Sequence, residues 1–316
     1  MDKDIIIPVT AIIPTADRGA ILFKTLESIA HQNFQPFEII IVDATPGDTT
    51  LKIGKAQIPG LFSKVIVTKA VHKGAAVQRI QGLQYATQLY ILFTDDDIIL
   101  EPGCIEFLWK SLISNDEAGA TNVLVTNQHY HPPGKLTGIM YRLMHGSKIN
   151  SYAGKCIGPA WNLLPEQTGE SALCNEVEWI NTTCSLYRKI ALPTPLFPEH
   201  FKGYSLMEDL ALSLTVSRNW KLYNVPDARI FHDSQPGKHK NSAFKLSKME
   251  LVNMHYIMKY IMKREGFSYT LKLTVFELWG ILSGLTSLRG WLQLFPDIFG
   301  KLAGMYSIIT NKYQYV

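Results

Sequence analysis

Three consecutive carboxylates, Asp95-Asp96-Asp97, follow the apolar run Tyr90-Ile91-Leu92-Phe93. Adjacent like charges raise one another's pKa, and a divalent cation removes that cost. Mg2+ favours carboxylate oxygens and keeps water and phosphate among its ligands. The plainer alternative is an acidic turn that caps a helix starting near Pro102. Two further segments belong to the same chemistry. Pro14-Thr15-Ala16-Asp17-Arg18 closes one apolar run and Asp43 closes another, so a carboxylate able to accept a base N–H stands with an arginine able to reach a base or a phosphate. Lys73-Gly74 then leads into a helical segment that carries Arg79, and a helix start with a nearby guanidinium suits phosphate. Glu208-Asp209 opens a later helical segment, where acidic residues also serve the helix dipole. His232 ends a final apolar run, either as a loop hydrogen-bonder or as a metal ligand, since imidazole suits Mn2+.

These residues need a scaffold that brings strand ends together. Short apolar runs at Val9–Ile13, Glu38–Val42, Lys64–Thr68 and Tyr90–Thr94 alternate with helically spaced segments such as Ile21–Ile29 and Ala75–Ala86. Strands alternating with helices predict βαβ units and a mostly parallel, Rossmann-like sheet, and strands apolar throughout predict helices on both faces. Ligands of such sheets sit at the carboxyl ends of the strands, where the carboxylates and Arg18 fall. Residues 114 to 178 show no clear period and predict loops and short helices around a pocket. Regularity returns as a strand at Glu178–Tyr187, a helix at Glu208–Asn219, and strands at Lys221–Asn224 and Ala228–His232.

Composition narrows the class. The 316 residues are 47% hydrophobic and 18% charged, enough to bury a large core, and the net charge of +4 is too mild for a nucleic-acid binder. Four cysteines without a CxxC pair suit a reducing compartment, and the N-terminus has no apolar signal-like run. No uncharged apolar run reaches the roughly 18 residues of a spanning helix.

The order of these motifs resembles glycosyltransferase family 2, the inverting enzymes of GT-A fold, over roughly residues 8 to 236. The resemblance implies that Asp95-Asp96-Asp97 is the DxD metal motif, with Asp97 holding Mn2+ or Mg2+, Asp95 also at the ribose side of the donor, and His232 a further ligand. It implies donor nucleotide contacts from Pro14, Thr15, Arg18, Asp43, Gly74, Arg79, Asp95 and Asp96. Asp209, with Glu208 beside it, becomes the general base for the acceptor hydroxyl. Glu178-Trp179-Ile180 leading to Tyr187-Arg188-Lys189 resembles the strand and basic pair that often precede the acceptor site. The chain departs from the family pattern where it has Asp17 and Ile80 for Asn, and Met207 for Gly. Displacing a nucleoside diphosphate from a sugar independently requires a cation at the leaving group and a carboxylate at the acceptor.

The expectation is therefore a GT-A α/β domain over residues 1–236 and a C-terminal amphipathic helical extension over 237–316. The expected reaction is metal-dependent, inverting sugar transfer from a nucleotide-sugar, a UDP-sugar first, to a glycan or lipid-linked acceptor in polysaccharide biosynthesis. A sugar nucleotidyltransferase and a non-catalytic nucleotide-sugar binding protein are the alternatives. Residues 238 to 265 carry seven Lys/Arg against two Glu, and Leu271–Leu294 reads as one helix with a Leu face widened by Phe276, Trp279 and Trp291. That pairing predicts peripheral contact with an anionic membrane on its cytoplasmic face, with a helical pair packed onto the α/β body or a homodimer through the same helices as the alternative.

Overall fold

A computed structural model describes residues 5–47, 58–146, 151–165, 174–201, 205–235 and 242–310. Two compact units result: residues 1–130 with 165–235, and residues 131–164 with 236–316. The second unit thus takes in 131–164 as well as the C-terminal helices. The single boundary read near residue 236 falls just outside the described residues, as do Lys238 and Lys240 of the basic window.

The first unit is built on a nine-stranded sheet among the described residues. Its first half is strand β1 (Ile5–Thr15), helix α1 (Gly19–Ala30), β2 (Phe34–Asp43), β3 (Lys64–Lys69), α2 (Ala75–Tyr85) and β4 (Tyr90–Thr94). β3, β2, β1 and β4 pair in that order and all run parallel. Ile39, Ile40, Ile41 and Val42 are all buried, as a two-faced parallel strand requires. Gly82 of α2 permits close packing: a Cβ there would meet the Ile12 side chain at 2.4 Å. The expected mixed α/β architecture with a mostly parallel core is therefore present.

The second half follows as β5 (Ile98–Leu100), α3 (Cys104–Ile113), β6 (Ala118–Val125), β9 (Asn175–Val177), β10 (Cys184–Arg188), α5 (Glu208–Val216) and β11 (Lys221–His232). β10 inserts antiparallel between β4 and β6, and β11 pairs parallel to β6 and antiparallel to β5 and β9. β6 overturns the expectation of an irregular region after residue 114. All eight of its residues are buried, but Gly119, Thr121 and Asn122 interrupt the apolar run in Ala-Gly-Ala-Thr-Asn-Val-Leu-Val. Gly119 is required there, because a Cβ would meet Trp220 at 2.4 Å. The strand expected from residue 178 begins only at Cys184. Before it, the buried Ile180 exchanges both main-chain groups with Ser213 Oγ of α5, at 3.0 and 2.9 Å, instead of joining a ladder. The two short strands expected at 221–224 and 228–232 are one strand with a register shift between Val225 and Arg229, around Pro226.

The second unit contains α4 (Lys135–His145), the short pair β7 (Cys156–Ile157) and β8 (Trp161–Asn162), and three C-terminal helices: α6 (Ala243–Tyr256, continued by a π turn to Ile261), α7 (Phe267–Gly284) and α8 (Leu288–Ile309). The expected single helix over Leu271–Leu294 is broken after Gly284, where Ser287 Oγ accepts the Gly290 N–H at 3.1 Å and caps a new helix. Among the described residues, no helix is long and apolar enough to cross a membrane.

Candidate active site

Parallel register brings three strand ends into one row. Thr15 pairs with Asp43, and Asp43 with Lys69. Gln78 of α2 ties the row together by donating to the main-chain oxygens of Thr15 (2.9 Å) and Val42 (2.6 Å). Gly74, the residue before α2, has φ +146, and its N–H donates to Gln78 Oε1 at 3.1 Å. Pro14 is buried in β1. Asp43 is buried and accepts from the Thr45 N–H and from Lys69 Nζ, each at 2.8 Å. Burial pushes its carboxyl up, but those donors prevail and hold it below the ordinary aspartate range. Lys69 was not singled out in the sequence, although a parallel sheet places the end of β3 beside the end of β2.

The three aspartates after β4 point in different directions. Asp95 takes the Arg79 guanidinium, Nη2 to Oδ1 at 2.5 Å, and its N–H donates to the Thr183 carbonyl. Asp96 is buried and accepts from Thr15 Oγ1 at 2.6 Å and Arg18 Nη1 at 3.0 Å. Its pKa rises to about 6, because burial outweighs those two donors. Asp97 accepts from the same Arg18 nitrogen at 3.0 Å and from the Gln235 N–H, and it lies 3.1 Å from His232 Nε2. Burial acts upward on its carboxyl, while His232 and Arg18 bring it below the ordinary range. Thr15 and Arg18, expected to face the donor nucleotide, both contact the Asp96 side chain.

His232 reaches this cluster because antiparallel pairing puts it opposite Ile98, one residue beyond Asp97. Asn127 holds the His232 backbone from both sides, and Gln128 Nε2 lies 3.2 Å from His232 Nδ1. Ligand atoms of Asp95, Asp97 and His232 lie within 4.8 Å of one another. Two carboxylate oxygens and an imidazole nitrogen form a donor set that suits Mn2+ or Mg2+.

A second acidic group stands on Arg79. This residue is 2% exposed, so it is not the solvated helix residue that a lone arginine at that position would suggest. Its Nη1 lies 3.5 Å from Glu208 Oε1, so one guanidinium bridges the metal-ligand group and the start of α5. Burial and the neighbouring Asp209 raise Glu208 to about 8. Burial likewise lifts Asp209 to about 6, against the Leu210 N–H it accepts at 2.8 Å and the charge of Arg79. Burial therefore holds the Asp209 carboxyl above the ordinary aspartate range. Met207, just before them, has φ +70, the left-handed backbone that glycine adopts freely. Asp17, with φ +59, takes a conformation that Asp and Asn tolerate.

Arg188 and Lys189 are not at this rim. Arg188 pairs with Tyr90 at the far end of β4 and donates to the carbonyls of Leu112, Asn115 and Ala118, while Lys189 donates to the carbonyl of Ala86. Both tie main chain together at the amino ends of the parallel strands.

The model of Glycosyl transferase family 2 matches residues 10–192, more than half of the chain. The chain belongs to that family. Its relatives carry matching names. The chain is 34% identical over 86 residues to a PGL/p-HBAD biosynthesis glycosyltransferase of Mycobacterium bovis, covering 27% of this chain and 34% of that one. It is 33% identical over 108 residues to the uncharacterized glycosyltransferase YwdF of Bacillus subtilis, covering 34% and 39%. The matches therefore span little more than a third of those relatives. Among solved structures, mannosyltransferase PcManGT from Pyrobaculum calidifontis, in complex with GDP-Man and Mn2+, aligns at TM-score 0.55 and 12% identity over 96% of this chain and 88% of its own. TarS residues 1–349 of S. aureus, in complex with UDP-GlcNAc, aligns at TM-score 0.51 and 17% identity over 96% and 92%. The fold of the chain is the GT-A fold of those neighbours.

Proposed function

We propose that this glycosyltransferase moves a sugar from a nucleoside diphosphate donor to an acceptor hydroxyl in one inverting displacement that depends on a divalent cation. The observation that carries the reading is the cluster of Asp95, Asp97 and His232, joined through Arg79 to the raised carboxyls of Glu208 and Asp209. Asp95, Asp97 and His232 would hold the cation. When bound, it supplies charge neutralisation at the departing diphosphate. Asp43 is kept ionised by Lys69 and Thr45 and would accept an N–H of the base, while Asp95 would also contact the ribose. Arg18, half-buried beside Asp96 and Asp97, is placed to meet the diphosphate.

Asp209 takes the proton from the acceptor hydroxyl as its oxygen bonds to the anomeric carbon and the bond from that carbon to the phosphate oxygen breaks. A carboxylate with pKa near 6 suits that role, because it combines basicity with ionisation at neutral pH. The acceptor is a glycan or a lipid-linked sugar at the cytoplasmic face of a membrane. That choice is supported by the named role of the mycobacterial relative and by the basic, apolar C-terminal helices. The donors bound by the structural neighbours are GDP-Man and UDP-GlcNAc, so guanosine and uridine diphosphate sugars are the first to screen. Release of nucleoside diphosphate from each, with Mn2+ or EDTA and with or without acceptor lipid, tests the reading. Full turnover in EDTA rejects the cation, and turnover indifferent to any acceptor hydroxyl rejects transfer.

A further inference from the structure

Helix α8 is amphipathic the wrong way round for a helix packed by its apolar face. Its small and polar residues face the unit that contains it. Gly300 and Gly304 are buried, and Cβ atoms there would meet the Phe244 carbonyl at 2.4 Å and the Leu251 side chain at 3.1 Å. Asp297 accepts from Ser247 Oγ at 2.8 Å, and Lys301 is held by Glu250 at 2.6 Å and Glu277 at 2.5 Å. The large apolar residues point outward. Leu288, Leu292, Phe295, Phe299, Leu302 and Ile309 recur at helical spacing and are between 54 and 78% exposed. Such a continuous stripe on a helix of 22 residues, about 33 Å long, is not the scattered surface apolarity of a soluble face.

We propose that this outward stripe of α8 lies in the plane of an anionic lipid bilayer. Charge selects the lipid surface over a second copy of the chain. Residues 242 to 310 carry eight Lys/Arg against four Asp/Glu. Three of the four acids, Glu250, Glu277 and Asp297, are engaged within the unit, and so is one of the eight bases, Lys301. Bringing two such surfaces together sets positive against positive, whereas anionic headgroups attract both. Arg289 is exposed in the first turn of α8, beside Leu288. Trp291 and Tyr306 are exposed on the same helix and combine apolar rings with a polar tip, as residues at a membrane interface do. Since no described helix is able to cross a bilayer, the contact is one of lying along the interface. It requires nothing of the donor, cation or acceptor.

The test is flotation of the full chain with vesicles of phosphatidylcholine and phosphatidylglycerol, and with phosphatidylcholine alone. The chain should float with the anionic vesicles, and added salt should lower the bound fraction severalfold without abolishing it. Leu292→Asp with Phe295→Asp should lower binding at least about tenfold, with helical content and nucleoside diphosphate release retained. Phe295→Gln gives a smaller drop in the same direction if the double variant does not fold. Brominated lipid should quench tryptophan fluorescence in the wild type and markedly less in Trp291→Phe. The proposal is overturned if the wild type ignores anionic vesicles or if these substitutions leave flotation unchanged. It is equally overturned if sedimentation shows a vesicle-independent dimer that they split, which would make the stripe an interface between copies.

Discussion

Arg79 Nη2 lies 2.5 Å from Asp95 Oδ1, so the first aspartate of the acidic triad is paired to a buried guanidinium. The same group faces Glu208 at 3.5 Å, and its Nε and Nη1 have no hydrogen-bond partner among the described residues. One arginine thus holds two carboxylates from different parts of the chain in one low-dielectric site. Removing it leaves Asp95 without its cation, and breaking a buried ion pair from one side costs about 3–5 kcal/mol. With Asp95 partly exposed to water, Arg79→Met should lower unfolding free energy by about 3 kcal/mol in denaturant melts. Turnover should also fall in the fraction that remains folded. An unchanged midpoint would show that the pairing contributes little.

The triad should divide by role. Asp97→Ala should abolish Mn2+ binding in titration calorimetry, because Asp97 is one of the three clustered residues proposed to hold the cation. Asp96→Asn should keep it within a few-fold, since Asp96 is spent on Thr15 and Arg18. Equal losses in the two variants would mean that the whole triad reorganises around the cation.

Asp209→Asn should leave donor affinity within a few-fold while lowering kcat by roughly 10²–10⁴. In the unsubstituted enzyme, kcat should rise with pH through about 6 as Asp209 ionises. A profile flat from pH 5 to 8 would move the base elsewhere, with Glu208 next to be tried.

Stability should respond to Glu208 in the opposite direction. Its pKa is raised to about 8 in the folded state against an ordinary 4.5. Between these values the folded chain holds a proton that the unfolded chain has released, so stability declines as pH rises through that window. Glu208→Gln should flatten the decline in thermal melts recorded from pH 5 to 8. An unaltered slope would assign the dependence to other groups.

In the second unit, Lys301 bridges Glu250 and Glu277 and is itself only 13% exposed. Lys301→Met should destabilise by about 3 kcal/mol, the usual result of orphaning buried carboxylates. Lys301→Met combined with Glu277→Gln should recover part of the loss. No recovery would show that the aliphatic stem of Lys301, and not its charge, is what matters.

Much of the site is legible in the sequence because strand ends in a parallel sheet are set by local signals. The apolar runs ending at Thr15, Asp43 and Thr94 locate the rim, and each acidic residue there stands next to a run that could only be buried. Glu208 and Asp209 are legible as the start of a helix. The rest depends on partners distant in the chain. Sequence alone could not show that Arg79 turns inward to Asp95 and Glu208, that Asp96 is occupied by Thr15 and Arg18, or that Asn127 and Gln128 hold His232. β6 escaped notice because tertiary burial, not its own polarity pattern, makes Ala118–Val125 a strand. The basic pair Arg188-Lys189 lies away from the rim for a related reason. β10 runs antiparallel to its neighbours, which carries its carboxyl end away from the rim. Local residue type determined the elements and the chemistry available to this chain. Strand direction, burial and long-range pairing decided which carboxylates share a charge environment and which side of α8 its apolar residues occupy.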